Sequence, residues 1–433
     1  MWSLLFIKRI FDGLSQPAVD AAVDEGKAQS ISFFKKVGKS YWNARCEYLA
    51  KKRKANIQKY CTADTMVNAL SLYYARPLQT KLREVQIQTA ESRILTGVYS
   101  RPEYLNVGRG RLRCTIDDQP PGEPHLDDRF IAKGKLVKNQ LLERGAKTWD
   151  AAKYRLLEIK VLGPMISANF SETTFYKYRY GPALLNDELQ EALCQTKGDA
   201  RKVVENKRTL LPLREALIPE AMNFEYLRDY PCCTCTGVLF AIAKKDRGDF
   251  EFIIQTRSDL VSDNPGFYAT IPYGFHEPTG SSAEDVDLEF TVWRELNEEL
   301  FNAKDAERAN HSVHPEAALN LTEPLKWLRK NKKGYNCEIL SPGYRATSCD
   351  CLFSVLFVIP DPEFWHKFGD QLARNWEAKK VKYISTQNRD EILAMLNHPL
   401  LVPDCRRTLA EGLIRLKELY PDRVADLDLK IVI

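Results

Sequence analysis

The chain has 433 residues, more than one small domain needs and suited to about two. Hydrophobic residues make up 44% and charged residues 28%, a globular balance that excludes collagen-like, largely disordered and coiled-coil readings of the whole. The longest nearly apolar runs, Cys232–Ala243 and Cys351–Pro360, reach about half the length of a bilayer crossing, so no transmembrane helix is expected.

Met1–Ile7 is apolar and is followed by Lys8 and Arg9. A secretory signal places its charge before a longer apolar core, so a cytoplasmic protein is expected. Eleven cysteines spread over a chain with a sufficient core are read as reduced thiols. The net charge of +5 is uneven: residues 1–62 hold twelve Lys/Arg against five acids, a local +7 that leaves −2 for the rest. Ile31, Phe34, Val37 and Tyr41, at spacings of three and four, make this basic arm helix-like. Its Lys51–Lys54 run is read as a solvated helix face; contact with nucleic acid or an acidic membrane is the less favoured alternative.

Residues 63–225 are expected to form a separate mixed α/β domain of unassigned role. Val85, Ile87 and Thr89 alternate as a half-buried strand does, and Gln119–Pro124 is a loop by its Pro and Gly content. Leu184–Gln195 and Arg201–Leu217 have helical patterning. The character changes near 226. Cys235–Ala243 and Phe250–Thr256 are β-type runs joined by the charged turn Lys244–Asp249. A helix over Asp285–Asn302 follows, then strands at Cys351–Ile359 and Val381–Ile384 and helices at Arg389–Leu396 and Arg406–Leu419. This order predicts an α+β domain over 226–433.

The stretch that carries chemistry is Arg294-Glu295-Leu296-Asn297-Glu298-Glu299. At about 100° per residue, the three glutamates share one arc of about 100°, beside the apolar stripe Leu288, Val292, Leu296 and Leu300. Crowded carboxylates repel each other and lose hydration, and a hard divalent cation relieves both costs. Arg294 stands just off the arc, placed to orient a carboxylate.

About twenty residues before Arg294 stands Ile271-Pro272-Tyr273-Gly274-Phe275-His276-Glu277-Pro278, and after it comes Trp376–Ser385. These stretches, with Ile254–Ser258 before them, resemble the Nudix hydrolase superfamily over about 226–425. Gly274 matches the opening glycine of the family's box, and Arg294–Glu299 match its catalytic half. The chain departs from the box between them. That span is six residues longer, Gly280 or Val286 falls where the first glutamate belongs, and Glu284, Asp285 and Asp287 are the acids nearby. Tyr273 and Phe301 stand where the family has glycines.

The resemblance implies an α/β/α sandwich with a mixed sheet. It also implies hydrolysis of a nucleoside diphosphate linked to another group, or a related diphosphate, by water attack on phosphorus with Mg²⁺ or Mn²⁺. Glu295, Glu298, Glu299 and the Tyr273 carbonyl are the implied metal ligands. Arg294, Glu295, Glu298 and Glu377 are the implied catalytic set, with Glu377 as a further ligand or general base. The alternative is a catalytically weak nucleotide sensor with the N-terminal half as effector. The implied partner is a nucleotide or other diphosphate, and a homodimer is compatible with the sequence. Cys232, Cys233, Cys235, Cys349 and Cys351 lack zinc-knuckle spacing and are read as packed thiols. His276, His311, His314 and His366 are read as incidental, and Trp327, Arg329 and Tyr335 as a base-stacking or phosphate-facing insertion.

Overall fold

The computed structural model describes residues 48, 51–75, 81–105, 112–117, 122, 126–163, 165–220, 224, 231–244, 248–278, 286–301, 321–331 and 334–433. Contacts divide the chain into two compact units, Met1–Ala55 and Asn56–Ile433. In the first, residues 48 and 51–55 are helical; Gln119–Pro124 apart from Gly122, Glu284, Asp285, His311, His314 and most of the basic arm lie outside the described residues. No helix among the described residues is long and apolar enough to cross a membrane.

The second unit is built on a ten-stranded sheet. Its strands are β1 (Arg83–Gln88), β2 (Arg93–Ser100), β6 (Thr234–Ala243), β7 (Phe250–Arg257), β8 (Tyr268–Thr270), β9 (Tyr273–Phe275), β10 (Asn336–Arg345), β11 (Asp350–Ile359), β12 (Ala378–Ser385) and β13 (Lys430–Val432). The order is β12-β7-β6-β11-β10-β2-β1-β13, with β8 on β7 and β9 on β6. A smaller sheet of β3 (Leu112–Ile116), β5 (Met165–Thr174) and β4 (Ala152–Leu162), in that order, lies in the same unit.

The apolar runs of β6 and β11 follow from burial on both faces. The two strands pair in parallel from Cys351↔Thr234 to Ile359↔Ile242, and every residue of each is buried. Strand period sorts them. Leu239, Ala241, Leu356 and Val358 face a core shared with α7 (Pro403–Leu419), through Leu409, Leu413 and Leu416. Val238, Phe240, Val355 and Phe357 face the other, with Val292, Leu296 and Leu300 of α4 (Leu288–Leu300) and Leu325 and Leu328 of α5 (Glu323–Lys330). Gly412 lets α7 approach the sheet, since a Cβ there would come within 2.6 Å of the Leu239 side chain. The chain is therefore α+β, as its patterning predicts, with a mixed sheet between helical layers.

A third core joins α1 (Ala63–Tyr73) and α3 (Leu184–Gln195) to β4, β5 and the β10–β11 hairpin, through Leu70, Leu189, Tyr154, Phe170, Tyr344 and Phe353. The expected division near 225 is not where contacts divide. Tyr99 of β2 pairs with Tyr344 of β10, and Ile87 of β1 with Ile431 of β13. Pairings separated by more than two hundred residues leave no local mark in sequence. The arm is also shorter than 1–62: Cys61 is fully buried, and its thiol donates to the Gln190 carbonyl at 3.3 Å. The single helix expected over Arg201–Leu217 is three short ones, Ala200–Glu205, Lys207–Leu210 and Pro212–Leu217. Pro212 begins the last, where proline is tolerated and its missing N–H breaks no helical bond.

Candidate active site

The α4 helix starts at Asp287, whose carboxylate accepts from the Glu289 amide at 3.0 Å. Of the acids considered for the missing box glutamate, this one is a helix cap. The helix lays Glu295 against β9, where Gly274 pairs with Thr236. Arg294 is committed to the same place. One terminal nitrogen donates to the Phe275 carbonyl at 2.7 Å and to Glu295 at 2.6 Å, and the other donates to Glu298 at 3.1 Å. Arg294 thus braces two of the three glutamates.

Glu299 is the deepest of them, 1% exposed. It accepts from the Tyr273 amide at 2.9 Å and from the Gln255 side-chain amide at 3.2 Å. Burial pushes its carboxyl well above the usual range, and the charges of Glu377 and Glu295 push it further. The Tyr273 amide and Arg257 pull the other way without overcoming them. Glu377 is half-buried in the loop before β12, where its amide donates to Asn375 and its carbonyl accepts from the Ser258 amide. Glu295, Glu299 and Glu377 thus form one repelling group. Among the described residues, no three His, Cys, Asp or Glu side chains converge tightly enough to hold an ion.

Tyr273 meets the site with its backbone, while its side chain anchors β9. The hydroxyl donates to Asp404 at 2.8 Å and accepts from Arg345, which also pairs with Asp350. Arg345, Asp350 and Asp404 are all buried, so the network is held in low dielectric and fixes the strand that presents the Tyr273 amide.

Three neighbours take no site role from the sequence, although Gln255 and Arg257 lie in the Ile254–Ser258 stretch that carries the resemblance. Gln255, on β7, bridges Glu299 and the Thr270 carbonyl. Arg257 donates through Nε to the Asp263 carbonyl at 3.1 Å, and one terminal nitrogen has no partner among the described residues. Lys153 comes from β4, in the half expected to be separate. It is 5% exposed and pairs with Glu277, and its ammonium lies 5.1 Å from the Phe275 ring. Burial, then the charge of Arg294, pushes it down to about 7; Glu295 and Glu377 act in the opposite direction. Nothing distinguishes Lys153 in sequence from any strand lysine.

The remaining candidates are structural. His276 is buried between Thr291 and the Val286 carbonyl. Cys233, Cys235, Cys349 and Cys351 are buried free thiols. The insertion read as phosphate-facing closes the core instead: Tyr335 stacks on Phe357, Trp327 packs on Phe364 and Phe368, and the Arg329 guanidinium lies 5.5 Å from the Trp293 ring. Aromatic residues flanking basic ones look the same in either role before packing is known.

No protein-family profile and no curated protein matches the chain. Among solved structures, a NUDIX hydrolase from Alicyclobacillus acidocaldarius is similar at 13% identity and a TM-score of 0.26, over 45% of this chain and 97% of that one. At that score the likeness carries neither fold nor chemistry across, so the residues themselves must speak for the chemistry.

Proposed function

We propose that the chain is a divalent-cation-dependent hydrolase of a diphosphate linked to another group, with nucleoside diphosphate derivatives as the first class to test. The observation that carries this reading is Glu299, buried and crowded by Glu295 and Glu377. An acidic group of this kind is costly to bury without a function, since each charge loses hydration and repels the others.

The donor set fits Mg²⁺ or Mn²⁺ in chemistry, because every candidate donor is a carboxylate oxygen or a backbone carbonyl. Glu295, Glu299 and Glu377 would hold such an ion, with Glu298 and the Tyr273 carbonyl as further donors. When bound, it would neutralise phosphate charge and ease deprotonation of the attacking water. Arg294 holds Glu295 and Glu298 in register by charge-assisted bonds. Gln255 and the Tyr273 amide fix Glu299 in one orientation. Glu377, half-buried rather than fully buried, is the acid best placed to accept a proton from water.

Release of phosphate-containing products from a panel of nucleoside diphosphate derivatives, with and without EDTA, tests the reading. Turnover lost on chelation supports it. Tight nucleotide binding with no turnover on any member would make the chain a nucleotide sensor instead.

A further inference from the structure

The half of the chain before 225, read from the sequence as a separate domain of unassigned role, is stitched through β4 to the strand that forms the site. The Tyr154 amide donates to the His276 carbonyl at 2.9 Å, the Leu156 amide donates to the Cys232 carbonyl at 3.1 Å, and Arg155 bridges Cys233. These bonds fix the register of β4 against the end of β9 and the start of β6. Lys153 is therefore held in place by backbone pairing on its C-terminal side, not by a mobile loop.

We propose that Lys153 is a substrate-binding residue that contacts a phosphate of the diphosphate, supplied to the carboxylate site by the N-terminal half of the chain. The inference rests on the hydrolase reading for the identity of the anion. Three observations carry it. Lys153 is buried beside an acidic site, and it interacts electrostatically with both Glu295 and Glu377. An ammonium has three donors, and Glu277 is its one ion-pair partner among the described residues. Its ammonium lies 5.6 and 5.1 Å from the ring centroids of Phe175 and Phe275, which narrows the directions open to it.

Charge balance points the same way. A diphosphate entering beside Glu295, Glu299 and Glu377 needs cationic donors of the protein's own. The described bonds of Arg294 go to Phe275, Glu295 and Glu298, so that guanidinium is engaged in bracing the site. Lys153 is tied to one carboxylate, and that of Glu277 is partly exposed, at 24% of its side chain. An incoming phosphate can share or displace that partner.

The test uses the full-length protein and inorganic pyrophosphate in Mg²⁺ buffer, with affinity read by calorimetry and KM and kcat read on whichever nucleotide is hydrolysed. Lys153→Met should weaken pyrophosphate binding and raise KM by about tenfold or more, the loss expected for a hydrogen bond to a charged group. Glu277→Gln should not weaken pyrophosphate binding, because it releases the ammonium. Lys153→Arg should keep part of the affinity. The double variant Lys153→Met with Glu277→Gln removes the ion pair as a unit, so it should fold even where the single variant does not, and it should still bind poorly. Equal losses in Lys153→Met and Glu277→Gln would overturn the inference in favour of a structural pair. Turnover with unchanged pyrophosphate affinity and KM in Lys153→Met would overturn it while leaving the hydrolase reading intact. Lys153-dependent pyrophosphate binding without hydrolysis of any substrate would keep the inference and overturn the hydrolase reading. No pyrophosphate binding by a wild type that turns over a nucleotide would overturn the inference alone; neither binding nor turnover would overturn both.

Discussion

Gly274 and Glu295 compete for the same space: a Cβ on Gly274 would fall 2.0 Å from the carboxylate carbon of Glu295, and 2.0 and 2.3 Å from its oxygens. The glycine is required by this close approach, not by backbone conformation. Gly274→Ala must displace Glu295 and with it the bond from Arg294. Overpacking of this kind destabilises by about 1–3 kcal/mol. Turnover should fall by about tenfold or more, with a lowered urea midpoint. An alanine variant with full turnover and an unchanged midpoint would show that Glu295 needs no such cradle.

His276 should make stability depend on pH. Its Nε2 donates to the Val286 carbonyl, which leaves Nδ1 to accept from Thr291, so the ring is neutral with both positions used. Burial holds it at about 3, below the ordinary 6.5. As pH falls the unfolded chain takes up this proton first. The stabilisation is complete above about pH 6.5 and is lost toward pH 3, by up to about 1.4 kcal/mol per pH unit. His276→Gln should flatten the fall of the urea midpoint between pH 6.5 and 4. Parallel curves for the two proteins would contradict this assignment.

Truncation tests where the chain divides. Residues 222–433 alone lack β1, β2 and β4 and expose Tyr344 and Phe353 of the third core, so this fragment should be insoluble or molten by near-ultraviolet circular dichroism. Removing residues 1–55 leaves the second unit whole and should keep turnover within a few-fold. A well-folded 222–433 would restore the division expected near 225.

Much of the site-bearing sheet and its helices was legible because burial there leaves periodic marks. Leu184–Gln195 and Arg389–Leu396 are helices within the bounds their patterns predict, and of the α4 stripe Val292, Leu296 and Leu300 share one core while Leu288 joins the third. The run at β6 announced a buried strand because both of its faces are covered. Partnership was not legible. Nothing in Arg93–Ser100 says that it meets β10, and nothing at Lys153 says that it reaches Phe275, because both depend on contacts distant in sequence. The three glutamates were legible as an arc. That Arg294 would bind two and leave the third to Gln255 and Tyr273 was not, since helical spacing does not reveal what faces it.

The most direct measurement is the Glu299→Gln variant, compared with the wild type in stability without divalent cations and in turnover with Mg²⁺. Burial and the neighbouring acids raise the Glu299 carboxyl, so the folded state keeps its proton to higher pH than the unfolded chain does. The group therefore costs stability progressively as pH rises above about 4.5. Glutamine removes that cost but gives up one of the two acceptors serving the Tyr273 amide and Gln255, so the cation-free variant should stay close to the wild type in stability at pH 7. With Mg²⁺ and substrate it should lose on the order of 10²-fold in turnover, at least the effect of removing one transition-state donor. Unchanged turnover in Glu299→Gln would contradict the proposed carboxylate site.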